Sequence, residues 1–201
     1  SPVGMAMVPT AAKSLGWPKK TYGWLELAGA TLRDDSLKLG AADPARSASG
    51  LLALTQLSGA AGRVKGGATQ AAAMMKALSQ RISDSDGQLV ETLPRGSSGT
   101  EQGNPKRNHA LVLSEQAAFT YNSSAEAGDG LDFFYPEDGS PRLDYPFALV
   151  DETRLSTDES RAAIRFMTYL RKPEQEQLLT DRGFRTSDDQ VSASLVAKAG
   201  G

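Results

Sequence analysis

LGAADPARSASG, residues 39–50, is the stretch of this chain that decides its fold. A short apolar run ends at Asp43, and Ser47 and Ser49 then lead into a second apolar run, LLALTQL. This order predicts a strand, a tight turn and the N-terminus of a helix. The first N–H groups of a helix lack intrahelical partners, and the helix dipole favours negative charge there. The segment therefore fits either an oxyanion-binding turn or an ordinary helix N-cap, in which serine is a preferred residue.

Length and composition indicate a globular domain. The chain has 201 residues, of which 39% are hydrophobic and 23% charged, and its formal net charge is −2. No cluster of lysine and arginine is larger than a pair, so we expect no nucleic-acid partner. No apolar run reaches the roughly 18 residues expected of a membrane-spanning helix.

The sequence offers little for catalysis. It contains no cysteine, which excludes disulfides and thiol chemistry, and its single histidine is His109. It has no Gly-x-Ser-x-Gly motif, no phosphate-binding P-loop and no dinucleotide fingerprint after a strand. We therefore expect that the chain is not an enzyme and has no catalytic residues, no cofactor and no metal ion.

Hydrophobic periodicity predicts short strands that alternate with helices. The predicted strands are 3–8, 37–41, 110–113, 131–135 and 144–150, with 88–93 as a weak strand or loop. The predicted helices are 10–15, 22–28, 49–57, 68–82, 114–121, 158–170 and 173–182, and 95–108 is a predicted loop. The expected buried faces are Ala72, Met75, Leu78 and Ile82 in helix 68–82, and Ala162, Ile164, Phe166, Met167 and Leu170 in helix 158–170.

This alternation predicts an α/β fold with three layers, in which a mainly parallel mixed sheet is flanked by helices. Ligands of such sheets bind at the carboxyl ends of the strands, beside the N-termini of helices. Two segments fit that position in this chain, 43–50 and 114–116. We therefore expect a ligand site where these two turns meet.

Several segments, in their order along the chain, resemble bacterial extracellular solute-binding proteins of the type II periplasmic-binding fold. LGAADPARSASGLLAL resembles the strand-turn-helix of the second lobe, with the Asp-Pro, Ser and Gly pattern of molybdate- and phosphate-type receptors. SPVGMAMVPTAAKSLGWP resembles the first strand of that lobe, and TYGWLELA its short helix. ALVLSEQAAFTYN, FFYPEDGSPRLDYPFALV and AAIRFMTYLRKPEQEQLLTDRGFR resemble a later strand-helix, the return segment and the closing helices.

The resemblance implies a division of the chain. Residues 3–125 would form the second lobe, and 126–201 would be the return segment and the C-terminal helices that complete the first lobe. The N-terminal part of the first lobe would be missing from this sequence. A solute would bind in the cleft between the lobes, which close by a hinge motion.

The resemblance also implies an extracytoplasmic location, either anchored at the cell surface or secreted. The partners would be a small-molecule solute and an ABC-type membrane transporter or an adjoining von Willebrand type A domain, as in similar actinobacterial proteins. The expected ligand is small and either polar or anionic. The expected ligand-binding residues are Arg46, Ser47, Ser49, Gly50, Glu115, Gln116 and Tyr145.

Each of these residues also has a structural alternative. Glu115 either faces the cleft, where it would repel an anion, or stabilises the dipole of its helix. Arg46 either contacts the ligand or is a solvated surface residue, and Tyr145 either lines the pocket or packs in the core. Two alternative functions also remain, an effector-binding lobe of a transcription regulator and an interaction module that binds no solute.

Overall fold

A computed structural model of the chain describes residues 1–33, 37–94, 107–125, 129–186 and 191–199. The strands are β1 (Val3–Met7), β2 (Leu39–Ala42), β3 (Ile82–Ser83), β4 (Ala110–Ser114) and β5 (Asp132–Phe134). The helices are α1 (Pro9–Leu15), α2 (Trp24–Arg33), α3 (Ala48–Gly62), α4 (Gly67–Ser79), α5 (Asp86–Val90), α6 (Glu115–Ser124), α7 (Thr157–Leu170), α8 (Pro173–Thr180) and α9 (Ala193–Ala199). Within these ranges, no helix has both the length and the apolar character needed to cross a bilayer.

The strands form one mixed sheet in the order β3-β2-β4-β1-β5. β2 is parallel to β3 and β4, whereas β1 is antiparallel to β4 and β5. It follows that β2, β3, β4 and β5 all end at the same edge of the sheet, where β1 begins. We call this the carboxyl edge. The α/β fold with a mixed sheet and flanking helices, expected from the sequence, is confirmed.

Helices cover both faces of the sheet and form two separate apolar cores. Met5 and Val112 lie on one face, in a core that includes residues of α1, α2, α3 and α4. Ala6 and Leu111 lie on the other face, packed with residues of α5 and α6. Because both faces of the inner strands are covered, the strands are continuous apolar runs such as ALVL.

Two of the predicted elements differ from the structure. The strand expected at 144–150 is irregular, because Pro146 has no N–H for a ladder hydrogen bond and Val150 is 86% exposed, with no core to face. In the segment 88–93, expected as a weak strand or loop, residues 88–90 belong to helix α5 and 91–93 are irregular. Ser85 caps α5 by accepting a hydrogen bond from the N–H of Gln88. Residues 95–106 of the predicted loop lie outside the described residues.

The buried face of α4 also differs from the prediction. Ala71 and Met74 are buried, whereas Ala72 is exposed. Met75 and Leu78 are only partly buried. Because α4 ends at Ser79, Ile82 belongs to β3, where it is 42% exposed and cannot extend the helical face.

Helix α7 forms where it was expected but does not pack as expected. Of the residues predicted to face inward, Ala162, Ile164 and Phe166 are exposed, and Met167 and Leu170 are only partly buried. No residue of α7 is buried by the described part of the chain, and the Ile164 side chain is 53% exposed. The apolar periodicity therefore predicted the helix correctly but did not predict that its apolar side chains are exposed.

Candidate functional site

The turn after β2 is held by its own polar groups. The Asp43 carboxylate accepts a hydrogen bond from the Ala45 N–H at 2.9 Å, and the Asp43 carbonyl accepts one from the Ser47 N–H at 2.8 Å. Ser47 is the N-cap of α3 and accepts a hydrogen bond from the Gly50 N–H at 3.4 Å. A Cβ at Gly50 would lie 2.2 Å from the carbonyl oxygen of Ala42, so only glycine permits this approach of helix to strand.

Two serines of this turn bind a carboxylate of the same chain. The Ser47 and Ser49 hydroxyl oxygens lie 2.7 Å apart. Asp86 Oδ1 accepts a hydrogen bond from Ser49 at 2.6 Å and one from Ser47 at 3.2 Å. Ser49 is 1% exposed, and Asp86 is partly buried at the first position of α5. The chain therefore supplies its own negative charge at the start of α3, where the helix dipole favours it.

Asp86 was not among the residues singled out from the sequence. The available signal was Ser85-Asp86, a capping residue followed by an acid in the first helical turn, directly before Leu89 and Val90. That signal marks a helix start. It does not by itself place Asp86 beside the serines of α3, because their contact depends on β3 lying next to β2.

Arg46 lies at the rim of this cluster. Its guanidinium contacts the Asp84 carboxylate at 2.7 Å and the Asp43 carboxylate at 4.0 Å. The Arg46 side chain is 62% exposed. An exposed pair of this kind contributes about 0–1 kcal/mol to stability. Arg46 therefore links the turns that follow β2 and β3 while remaining accessible to solvent.

Glu115, at the end of β4, does not face solvent. It is 0% exposed, and Arg185 binds its carboxylate through Nε at 2.8 Å and Nη2 at 2.6 Å. The Tyr135 hydroxyl donates a third hydrogen bond to the same carboxylate. This hydrogen bonding raises the pKa of Arg185, and burial is the main cause that raises the pKa of Tyr135. Arg185 therefore balances the negative charge of Glu115, which as a partner in this ion pair is not an isolated charge.

Gln116 is engaged within the chain as well. Its side-chain amide donates to the Thr120 hydroxyl at 3.0 Å and to the carbonyl oxygen of Arg182 at 3.2 Å. Its backbone N–H donates to the Ser1 hydroxyl at 3.1 Å. Gln116 therefore joins α6 to the segment that follows α8 and to the beginning of the chain.

Tyr145 packs on the segment that follows α8. Its side chain is 58% exposed, and its ring packs edge-on against Phe184 with the ring centres 5.3 Å apart. Burial and the negative charge of Asp86, in that order, raise the pKa of Tyr145. Phe184 directly precedes Arg185, which pairs with Glu115.

Ser47, Ser49 and Asp86 form what we call the carboxyl-edge site. It combines two hydroxyl groups with one carboxylate, a set that can exchange hydrogen bonds with a polar molecule. Among the described residues, no group of three or more histidines, aspartates or glutamates is arranged to hold a metal ion. The site lies at the sheet edge where α/β proteins bind ligands.

Comparison with known proteins identifies the family of the chain. The family described as bacterial extracellular solute-binding protein matches residues 1–185. Two uncharacterized proteins of Mycobacterium tuberculosis, from strains CDC 1551 / Oshkosh and ATCC 25618 / H37Rv, are each 37% identical over 89 residues. The match covers 44% of this chain but only 13% of each relative. No solved structure matches the chain significantly.

The family match covers most of the chain and includes every element that forms the carboxyl-edge site. It also agrees with the expected extracytoplasmic location and with a role in binding rather than catalysis. The chain belongs to the bacterial extracellular solute-binding proteins.

Proposed function

We propose that the chain recognises a small polar solute at the carboxyl-edge site. The observation that carries this proposal is the convergence of the Ser47 and Ser49 hydroxyls on the Asp86 carboxylate. We propose that Tyr145 forms part of the wall of the site. These groups come from turns far apart in sequence, and the sheet brings them to one edge. Such convergence of polar groups is typical of ligand sites, in which a few polar atoms fix the ligand's orientation.

Asp86 selects among the expected ligands. An oxyanion would approach the negative charge of Asp86, and like charges at short range repel strongly when they are partly buried. A solute that carries hydroxyl or ammonium donors would instead place a donor on the carboxylate and another on a serine oxygen. We therefore favour a polyol, sugar or amine over an anion, and we assign Arg46 a place at the rim.

Glu115 and Gln116 take a different role in this proposal. Their side chains bind Arg185 and the carbonyl oxygen of Arg182 within the chain. They hold the segment that carries Phe184, on which Tyr145 packs. We propose that both residues position the wall of the site rather than contact the solute.

We further propose that residues 3–125 provide most of one lobe and that α7 and α8 belong to the other. The exposed apolar residues of α7, such as Ile164 and Phe166, support this division, because packing within that other lobe would bury them. β5 and α9 also pack with the lobe that residues 3–125 form, because β5 pairs with β1 and Leu195 packs on Phe119. Solute capture would then close the two lobes on each other.

The chain spans about 13% of the length of the curated relatives it matches, so the partners of the whole protein are a further proposal. We propose a receptor that is anchored at the cell surface or secreted and that delivers its solute to an ABC-type transporter or an adjoining von Willebrand type A domain. The extracytoplasmic location of the family supports this arrangement.

Thermal unfolding with a panel of sugars, polyols, amines, amino acids and oxyanions tests the binding proposal. A solute at 100 times its dissociation constant stabilises the folded chain by about 2.7 kcal/mol, which is easily measured. Ser49→Ala should lose this stabilisation, whereas Ser58→Ala, an exposed serine on the same helix, should retain it. Stabilisation by oxyanions alone would contradict the assignment of Asp86, and equal stabilisation of both variants would contradict the site.

A further inference from the structure

The apolar core contains a cavity that the carboxyl-edge site does not use. It lies between the sheet and helices α2, α3 and α4, and its volume is about 270 Å³. Met5, Trp24, Ala53, Leu57, Met75 and Ile82 are among the residues that line it. A cavity of this size is unusual, because protein interiors are packed about as tightly as organic crystals.

The sequence itself explains the empty space. Ala41 and Ala42 of β2 line the cavity, and Ala28, Gly50 and Ala53 line it from α2 and α3. The layers of an α/β fold are separated by about 10 Å, a gap that leucine- or phenylalanine-sized side chains normally fill. A run of the smallest residues at facing positions leaves that gap open. The cavity therefore follows from the choice of residues on both layers.

The lining has almost nothing to offer a polar molecule. Its one side-chain hydroxyl belongs to Ser79 and already donates to the carbonyl oxygen of Lys76 at 2.8 Å. A buried water needs about two to four polar partners, and apolar cavities in proteins stay dry. The occupant that fits this lining is therefore a hydrocarbon group.

The cavity is accessible from solvent beside the end of α4. Ile82 is 42% exposed, and Met75 is partly exposed. Gly50 and Pro44 also line the cavity, next to the turn that carries the serines. Ser47, Ser49 and Asp86 do not contribute to the lining. An apolar ligand can therefore enter without occupying the carboxyl-edge site.

We propose that this cavity is a second binding site, which takes an uncharged hydrocarbon group of about ten carbon atoms. The size follows from comparison with engineered cavities of about 150 Å³, which bind benzene. The group is supplied either by a small neutral hydrocarbon or by the acyl chain of a fatty acid. Its binding does not depend on the polar solute or on the residues that hold it.

Methyl NMR of the chain with three eight-carbon probes tests the proposal. 1-Octanol represents the neutral hydrocarbon and octanoate the fatty acid, and 1,8-octanediol has a polar group at both ends. We expect saturable shifts of the Leu57 and Met75 methyl groups with 1-octanol or octanoate, and the tighter of the two identifies the source. The methyl groups of Leu111 and Leu113, on the other face of the sheet, should not move, and the diol should have little effect.

A variant that fills the cavity provides the second test. Ala53→Leu places a larger side chain in the empty space, so it should unfold at the same or a higher temperature and bind at least tenfold more weakly. Ala73→Leu, which adds the same volume at an exposed position of α4, should bind like the wild type. The proposal is overturned if the wild type shows no saturable shifts at the lining methyl groups, or if a folded Ala53→Leu variant binds as tightly as the wild type. The wild-type titration decides the matter even where Ala53→Leu fails to fold.

Discussion

Removal of Arg185 gives the sharpest energetic prediction. Glu115 is 0% exposed, and the Arg185 side chain, which makes two hydrogen bonds of 2.6 and 2.8 Å to it, is 19% exposed. Arg185→Met would leave a carboxylate buried without its cation, which costs about 3–5 kcal/mol. For a domain of this size, that loss corresponds to a decrease of about 6–20 °C in the melting temperature. Urea unfolding followed by circular dichroism measures the free-energy change directly.

Two controls separate burial from the mere loss of an arginine. Arg154 contacts Asp151 at the same short distance, 2.7 Å, but its side chain is 86% exposed. Arg154→Met should therefore cost no more than about 1 kcal/mol. The double variant Glu115→Leu with Arg185→Met should recover most of the loss, because it leaves no buried charge. Equal costs for Arg185→Met and Arg154→Met would refute the reasoning.

Three further predictions concern single positions. Gly50→Ala places a Cβ 2.2 Å from the carbonyl oxygen of Ala42, so we expect a loss of about 1–3 kcal/mol in urea unfolding. Ser156→Ala removes the capping box that Ser156 forms with Glu159 at the start of α7, and thermal unfolding should show a loss of about 0.5–2 kcal/mol. Burial and, to a lesser degree, nearby cations lower the pKa of His109. The unfolded chain therefore binds a proton at His109 more readily, and the wild type should lose stability as the pH falls below about 6.5. Urea unfolding between pH 7.5 and pH 5 should show a smaller loss for His109→Gln.

Local signals in the sequence predicted the scaffold well. The apolar run at Ala110–Ser114 is a fully buried strand, and Ser47 caps α3 as its position before the apolar run indicated. These features depend on residues that are close in sequence, where turn, cap and strand preferences act. The strand predicted at 144–150 is wrong because apolar content outweighed the effect of Pro146 in that prediction.

The contacts within the site depend on residues distant in sequence. Asp86 lies 37 positions from Ser49, and Arg185 lies 70 positions from Glu115. No short-range pattern specifies such pairs, because the order of strands in the sheet brings them together. The sequence therefore placed the serines at a helix start but did not reveal that a carboxylate of the same chain already binds them. In our proposal, that carboxylate narrows the expected ligand, which was either polar or anionic, to a donor-bearing polar solute.

The position of the bound solute tests the central claim most directly. The measurement is a titration of the isotopically labelled chain with the solute that stabilises it most, followed by backbone amide NMR. We predict that the largest saturable shifts occur at Ser47, Ser49, Gly50, Asp86 and Tyr145, and that Asp86→Asn weakens binding at least tenfold. Saturable shifts that leave these residues unchanged and concentrate elsewhere in the chain would contradict the account.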